Sequence, residues 1–330
     1  MRVLIATPLY PPEIGGPATY AEILKQAWGD DALLVKFSDV RKYPKIVRHL
    51  LYFRMVLKAA RNADVVLALD PVSVGLPAMK AAQKAGKKFV VKIVGDYAWE
   101  QGVQRFGVTQ TLDDFVKTRQ PSFAVRRLQE IQTKVVQAAI RIIVPSEYLQ
   151  EIVMQWGISK EKIFVINNGI KLPEHIPTQQ KKEGEFLIVS AGRRVPWKGF
   201  EAIERVAQSH PNWRVQILTD RPREEVLSWI KTAHVFVLNS QYEGFSHVLV
   251  EAMTLGTPVV VTNIRANKSL VGDAGLLIPP GDGTALEQAL IEVERDPKEA
   301  QDRARAGQER MKSFEVSYTL DLTTSLLKSL

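Results

Sequence analysis

The stretch from Val235 to Val261 constrains the fold of this chain most, because it joins two apolar runs of strand length through a helical pattern. Val235 to Leu238 has the length and composition of a buried strand. Glu243-Gly244-Phe245-Ser246 opens the helical pattern, which Gly256 ends before Pro258-Val259-Val260-Val261 begins a second strand. This order predicts a helix whose N-terminus lies at the carboxyl end of the first strand. Unpaired N–H groups and the positive end of the helix dipole suit a phosphate there.

Two carboxylates, Glu243 and Glu251, flank this predicted anion site. Carboxylates do not bind phosphate, but they accept hydrogen bonds from hydroxyl groups, in which sugars and riboses are rich. An anion site with an acceptor on either side therefore suits a nucleotide sugar. Taken alone, two such glutamates are more often solvated surface residues, so the wider pattern has to decide.

Four motifs occur in order along most of the chain. EGFSHVLVEAM holds the two glutamates and is followed by GTPVVVT. The other three are AGRRVPWKGFE (Ala191 to Glu201), DAGLLIPPGD (Asp273 to Asp282) and PPEIGGPATYA (Pro11 to Ala21). The first motif resembles the donor-site motif of retaining GT-B glycosyltransferases, especially glycosyltransferase family 4. The other three, in the order given, resemble the donor loop, the post-strand turn and the N-terminal Gly-rich loop of that family.

Short apolar runs alternate with helical patterns through the whole chain, which indicates parallel sheets with helices on both faces, an α/β fold. The polar, aperiodic stretch 171–184 is typical of a linker. The resemblance implies a GT-B fold, in which two Rossmann-like, doubly wound domains face each other across a cleft. We expect an acceptor domain at 1–170, a donor domain at 185–315, and a final helix, 316–330, that packs back on the first domain.

Composition bounds the function. The chain has 330 residues, no cysteine and no apolar run of the roughly 18 residues that a membrane-spanning helix needs, and its N-terminus lacks a signal-peptide pattern. We therefore expect a cytoplasmic protein. The net charge of +8 would attract nucleic acid, anionic lipid or a phosphorylated substrate. Basic residues are spread along the chain and no RNA-binding aromatic motif occurs, so nucleic acid is the weakest of these.

Two Gly-rich loops carry the predicted diphosphate contacts. Arg193 and Lys198 lie five positions apart on a predicted strand-to-helix loop, where both can reach one diphosphate. Gly15 and Gly16 would let backbone N–H groups approach the same diphosphate, although an ordinary tight turn uses glycines in the same way. NAD(P) is disfavoured because the G-x-G-x-x-G spacing is missing. The chain has no Asp-x-Asp sequence, which favours a metal-independent reaction with no cofactor besides the nucleotide-sugar co-substrate.

The resemblance also implies roles for single residues. Glu251 would hold the ribose hydroxyls of a UDP- or GDP-type donor, and Glu243 would hold the transferred sugar. The donor pocket would be lined, partly through backbone N–H groups, by Gly244, Phe245, Val248 and Leu249. Retention of configuration is implied by the family alone.

The sequence departs from the family pattern at two places. Gly95 stands where family members often carry a histidine beside the donor sugar, and Asp96 is then the nearest hydrogen-bond acceptor for the sugar hydroxyls. Asp96 is equally suited to cap the following helix. Between Leu218 and Arg223 only TDRP remains of a longer family segment that contributes to the nucleobase pocket, so the base stays open.

Three functions fit these residues: a nucleotide-sugar glycosyltransferase of glycan, polysaccharide or glycolipid synthesis, a GT-B enzyme of other chemistry such as an epimerase or phosphorylase, and a non-catalytic nucleotide-sugar binding protein.

The predicted helix from Tyr43 to Ala63 has two apolar rows. Its predicted core stripe is Ile46, Leu50, Phe53 and Leu57, and a spare row among cations is Val47, Leu51 and Met55. Helices of this kind lie on anionic membranes. We therefore expect an acceptor at a membrane surface, such as a lipid-linked sugar, and a protein peripheral to the inner face of the membrane. Packing of the spare row under a neighbouring helix is the alternative.

Overall fold

The computed structural model describes residues 1–13 and 15–330. Ile14, within the Pro11 to Ala21 motif, lies outside the described residues. The chain forms two compact units. Unit 1 comprises Met1–Asn168 and Val316–Leu330, and unit 2 comprises Gly169–Glu315. Each contains a parallel sheet with helices, as the alternation of apolar runs predicts.

Unit 1 has a six-stranded sheet in the order β2-β1-β3-β4-β5-β6, and every pairing is parallel. Its strands are short and largely buried, as expected where helices cover both faces of a parallel sheet. They are β1 (Val3–Thr7), β2 (Ala32–Lys36), β3 (Val65–Ala68), β4 (Lys88–Lys92), β5 (Arg141–Val144) and β6 (Ile163–Val165).

The helices of unit 1 come mainly between these strands, and several begin at a side chain that accepts a backbone N–H of the first turn. Asp96, Thr111, Ser122 and Ser146 cap helices in this way. The helices are α1 (Gly16–Trp28), α2 (Lys45–Ala60), α3 (Gly75–Ala85), α4 (Tyr97–Arg105), α5 (Leu112–Phe115), α6 (Phe123–Ala138), α7 (Glu147–Gln155) and, from the end of the chain, α14 (Val316–Lys328).

Unit 2 has a five-stranded parallel sheet in the order β11-β10-β9-β7-β8. Its strands are β7 (Phe186–Ala191), β8 (Trp213–Leu218), β9 (Val235–Leu238), β10 (Val259–Thr262) and β11 (Leu276–Ile278). Its helices are α8 (Phe200–Ala207), α9 (Arg223–Thr232), α10 (His247–Thr254), α11 (Arg265–Val271), α12 (Gly283–Arg295) and α13 (Pro297–Met311).

Alternate residues of each strand in unit 2 enter different cores, since successive side chains of a strand point to opposite faces. Leu187 and Val189 of β7 pack in one cluster with residues of α9, α10 and α11. Ile188 of the same strand packs in a second cluster with residues of α8 and α12. This double burial explains why the strands read as continuous apolar runs.

The predicted core stripe of α2 is wrong in its first half. Ile46 is 86% exposed and Leu50 is 50% exposed. The residues that α2 buries are Tyr52, Val56 and Ala60. The Tyr52 hydroxyl donates a hydrogen bond to the Val35 carbonyl at 3.0 Å, which fixes this face of the helix against β2.

Candidate functional site

The strand order of unit 2 reverses between β7 and β9, because β8 lies on one side of β7 and all later strands lie on the other. Loops that leave neighbouring strands in opposite directions open a crevice at the carboxyl ends of those strands, where ligands of doubly wound sheets bind. The loop after β7 is 192–199 and the segment after β9 is 239–246. These segments hold the residues that the sequence predicts to bind a diphosphate and a sugar.

Close contacts join these two segments. Gly199 has φ +64°, and a Cβ there would lie 2.5 Å from the Asn239 carbonyl oxygen, so only glycine fits. The Asn239 side-chain amide donates to the Gly199 carbonyl at 3.0 Å, and the Gln241 N–H donates to the Trp197 carbonyl at 2.8 Å. The β7–α8 loop is therefore held against the segment that carries Glu243.

An ion pair lies where the two segments meet. Lys198 Nζ is 2.6 Å from Glu243 Oε1, and their side chains are only 11% and 10% exposed. A Cβ at Gly192 would lie 3.3 Å from Lys198 Cε, so the glycine leaves room for the lysine stem. The structure thus brings together two residues that the sequence predicts to be in the site. At low exposure an ion pair is screened less by water and salt than a surface pair.

The other basic residues of the β7–α8 loop are more accessible. Arg193 is exposed, and the neighbouring Arg194 lies 3.6 Å from Glu201. Arg193 thus shares the Gly-framed loop with Lys198 but lies nearer to solvent.

The helix after β9 begins later than the sequence suggests. Glu243 to Ser246 precede α10, which begins at His247, and Ser246 is the N-cap residue with extended backbone. Phe245 and Val248 are partly buried against the core. Leu249 is fully buried in it, so only its backbone is available to a ligand. Gly244 lies between Glu243 and Phe245 in the segment that leads to the helix.

Glu251, on α10, is buried, and its Oε1 lies 2.6 Å from Arg223 Nε of α9. The guanidinium also donates to the Lys171 carbonyl at 2.9 Å through Nη2. Burial raises the pKa of Glu251, and the Arg223 guanidinium opposes that rise. The sequence reasoning missed Arg223 as a partner of Glu251. The signal was its place directly after the shortened TDRP segment.

The predicted site residues of unit 1 lie after β1 and β4. Gly15 has φ +148° and is the N-cap residue of α1, whose first residue is Gly16; among the described residues, no side-chain hydrogen bond caps this helix. Asp96 is buried and its Oδ1 accepts the Trp99 N–H at 2.9 Å, so it does cap α4. Burial raises the pKa of Asp96 to about 6, against the stabilising N–H of Trp99. Its predicted contact with a sugar stays a prediction.

Residues 1–13 and 15–330 contain neither a cluster of metal-binding side chains nor a membrane-spanning helix. In these ranges no three His, Asp or Glu side chains are grouped so that they could hold a metal ion. No helix there is long and apolar enough to cross a membrane.

Comparison with known families identifies the chain. The model of glycosyltransferase family 4 matches residues 2–173, and that of glycosyl transferases group 1 matches residues 201–310. The chain belongs to glycosyltransferase family 4.

Curated relatives of this family 4 chain include glycogen synthase of Mycobacterium tuberculosis, 30% identical over 195 residues, which are 49% of this chain and 47% of the relative. Another is the O-antigen chain mannosyltransferase B of Escherichia coli, 37% identical over 75 residues, or 23% of this chain and 20% of the relative. The chain spans about half the length, or less, of these relatives.

Solved structures share the fold along the whole chain. Sucrose-phosphate synthase of Thermosynechococcus elongatus has a TM-score of 0.80 at 18% identity, covering 99% of this chain and 98% of that one. HepE of Anabaena, solved with UDP-glucose, has a TM-score of 0.78 at 18% identity over 100% of both chains. The family and these structures confirm the predicted GT-B class of two Rossmann-like units.

Proposed function

We propose that this family 4 protein transfers a sugar from a nucleoside-diphosphate sugar to a hydroxyl acceptor. The observation that carries the proposal is the Lys198–Glu243 ion pair at the point where the strand order of unit 2 reverses. A cation and a hydrogen-bond acceptor side by side can bind the β-phosphate of such a donor and a hydroxyl of the sugar that is bonded to that phosphate. The curated relatives, named as a glycogen synthase and a mannosyltransferase, support sugar transfer.

The leaving diphosphate needs positive charge as its bond to the sugar breaks. Lys198 supplies a point charge that already lies beside a carboxylate, and Arg193 supplies a planar fork on the same loop. When a donor binds, the Lys198 ammonium can keep one N–H on Glu243 and turn another to the phosphate, since it has three. We propose that the reaction uses these cations and neither a metal ion nor another cofactor.

The two glutamates divide the hydroxyl groups of the donor. Glu251 would accept hydrogen bonds from the ribose, and Glu243 from the transferred sugar. The backbone of Gly244, Phe245, Val248 and Leu249 would face the donor beside them. HepE of Anabaena was solved with UDP-glucose, which supports a UDP-type donor. A GDP-type donor is the alternative.

The transfer step exchanges one bond for another. The bond between the anomeric carbon and the β-phosphate oxygen breaks, and the acceptor oxygen bonds to that carbon. The acceptor attacks from the face that the diphosphate leaves, so configuration is retained, and the acceptor proton passes to the departing phosphate. We propose that Asp96 positions sugar hydroxyls in this step and that Gly15 and Gly16 bring N–H groups to the diphosphate. The acceptor would be a glycan or a lipid-linked sugar at the inner face of the membrane.

Calorimetry with UDP, GDP and their sugars tests the donor site. Lys198→Ala should weaken nucleoside-diphosphate binding by about 1.5–3 kcal/mol, the scale of a charged hydrogen bond. Arg193→Ala should also weaken nucleoside-diphosphate binding. Arg205→Ala, which removes an exposed charge from α8, is the matched control and should bind normally. Unchanged affinity in Lys198→Ala, or turnover that fails entirely without a divalent ion, contradicts the proposal.

A further inference from the structure

Basic residues occur along the whole chain, but one segment that lacks carboxylates holds nearly all of its net charge. Between Arg41 and Asn62 there are seven cations and no carboxylate, whereas the whole chain has a net charge of +8. The rest of the chain is therefore almost balanced. These cations, which we call the α2 cations, are Arg41, Lys42, Lys45, Arg48, Arg54, Lys58 and Arg61. Such a concentration produces a local positive potential that a spread distribution would not.

The same segment exposes apolar side chains. Tyr43, Ile46, Val47 and Leu50 are all exposed, Ile46 by 86%. On a helix, positions i, i+3, i+4 and i+7 share one face, so Ile46, Val47 and Leu50 form a solvent-facing stripe that Tyr43 extends before the helix begins. We call these four residues the α2 stripe. Soluble proteins rarely expose such a stripe without a partner for it.

The α2 stripe lies near the predicted ligand-binding edge of unit 1. Helices that follow strands of a parallel sheet start at the carboxyl edge, and α2 follows β2 through a short 3₁₀ turn. Arg41 ties this start to the loop after β1: its Nη2 donates to the Pro8 carbonyl at 3.1 Å, and it pairs with Glu13. Gly15 ends that same loop, and Gly16 begins α1.

We propose that the α2 stripe and the α2 cations form a docking surface for an anionic lipid bilayer. Apolar side chains ringed by Lys and Arg bury their apolar parts at the headgroup boundary while the cations attract anionic lipid. Bare nucleic acid would leave Ile46 and Leu50 in water, which is why lipid fits better. Docking would hold a hydroxyl on a lipid at the edge where the β1 loop lies. The proposal is independent of the transfer chemistry, because it concerns a face of unit 1 alone.

Vesicle co-sedimentation tests the docking surface. The full chain should be enriched on vesicles of equal parts phosphatidylcholine and phosphatidylglycerol over pure phosphatidylcholine, and less so at high salt. I46S together with L50S should lower that binding at least tenfold, on the order of the loss expected from two buried aliphatic side chains. Both side chains are exposed, so the fold should be kept.

Two matched controls isolate the stripe and the charge. Y318S together with L322S removes an apolar pair on α14, 58% and 53% exposed, and should bind vesicles normally. K42Q with K45Q should lose binding only to the anionic vesicles. K80Q with K84Q on α3, exposed and equal in charge removed, should not lose it. Circular dichroism and nucleotide affinity of the I46S/L50S variant should match the wild type.

Three outcomes overturn the proposal. The first is equal binding to neutral and anionic vesicles, or binding that survives I46S/L50S. The second is tighter binding of a DNA duplex than of anionic vesicles, which would assign the surface to nucleic acid. The third is a wild-type dimer that I46S/L50S converts to a monomer in sedimentation, which would make the stripe a contact between two copies. None of these results would alter donor binding, so the transferase proposal stands or falls separately.

Discussion

Single residues decide the chemistry proposed for unit 2, because each of its two buried glutamates pairs with a cation from another segment. Lys198 Nζ lies 2.6 Å from Glu243 Oε1, and Arg223 Nε lies 2.6 Å from Glu251 Oε1. The sequence motifs predict Lys198, Glu243 and Glu251 as site residues, but they do not predict Arg223. A motif fixes which residue types are present, but the partner of a buried carboxylate comes from a different element. It depends on how α9 packs beside α10, which spacing along the chain does not encode.

The two ion pairs predict different effects of neutralising each glutamate. Glu251→Gln should weaken binding of free nucleotide and nucleotide sugar alike, because ribose is common to both ligands. Glu243→Gln should weaken mainly the binding of the sugar-bearing donor. Calorimetry with UDP and UDP-glucose measures both, and Glu294→Gln, remote in sequence and bound to Trp213, serves as control. If the two variants lose free-nucleotide affinity equally, the division is wrong.

Lys92 gives a prediction about stability and pH. It is fully buried at the end of β4, its Nζ lies 3.8 Å from the centroid of the Tyr20 ring, and it has no hydrogen-bond partner among the described residues. Burial lowers the pKa of Lys92 from 10.5 to about 7. Between those values the unfolded chain binds the extra proton, so stability should rise with pH over this window. At or below pH 7 the folded protein carries nearly the full free-energy cost of burying the charged Lys92 ammonium.

Lys92→Met should therefore be more stable than the wild type at pH 7, by about 2 kcal/mol or more. This gain is smaller than the free energy that the full pKa shift corresponds to, because the charged ammonium makes a stabilising cation–π contact with the Tyr20 ring. The gain should shrink as pH approaches 10. Urea unfolding at several pH values measures it, with Lys84→Met on the surface of α3 as control. A gain that does not change with pH would mean that Lys92 does not titrate in this range.

At the scale of elements, periodicity located α2 but not the face that it buries. The helix has more apolar residues than one face can hold, so a stripe drawn from spacing is ambiguous. The contact of Tyr52 with Val35 of β2 selects the buried face, and Ile46 and Leu50 point to water instead. The segment 95–120 reads as polar, yet it folds into α4 and α5. Caps at Asp96 and Thr111 begin both helices, and these signals were available in the sequence.

Asp96 belongs to the start of α4, so its replacement should affect an element as well as a reaction. Burial raises its pKa from 3.8 to about 6, so the folded state favours the protonated acid and its stability falls as pH rises through that window. Asp96→Asn keeps an oxygen for the Trp99 N–H and removes the buried charge. Above pH 6 it should be up to about 3 kcal/mol more stable than the wild type, and equal to it below pH 4.

Turnover of the same variant separates the cap from the proposed positioning role. If Asp96 also holds sugar hydroxyls, Asp96→Asn should lose most of its rate although its melting temperature does not fall and it binds nucleotide normally. Near-normal rates would remove Asp96 from the site and leave the cap as its whole role. Ser122→Ala, which removes the cap of α6, is the control for an effect of capping alone.

At the scale of the whole molecule, the chain passes through unit 2 and then returns to unit 1. It leaves unit 1 after Asn168 and returns at Val316, so α14 completes a core that the first residues started. Leu326 and Leu327 pack in one cluster with Val3, Tyr20 and Leu24. Apolar alternation predicted two parallel sheets because each strand carries its own signal. The return of α14 was implied only by family resemblance, since its amphipathic pattern does not say which unit it covers.

This return makes the stability of unit 1 depend on the last residues of the chain. Leu327 is buried, whereas Leu322, on the same helix, is 53% exposed. Leu327→Ala should destabilise unit 1 by about 2–5 kcal/mol, the cost of a large-to-small change in a core, and Leu322→Ala should cost little. Hydrogen exchange resolves the effect by position, since protection of β1 and α1 reports unit 1 and protection of β7 and β9 reports unit 2. Reduced protection confined to unit 1 is expected because Leu327 packs with residues of that unit alone. Equal losses in both units, or a loss in Leu322→Ala as large as in Leu327→Ala, would contradict a role for α14 as part of the core of unit 1.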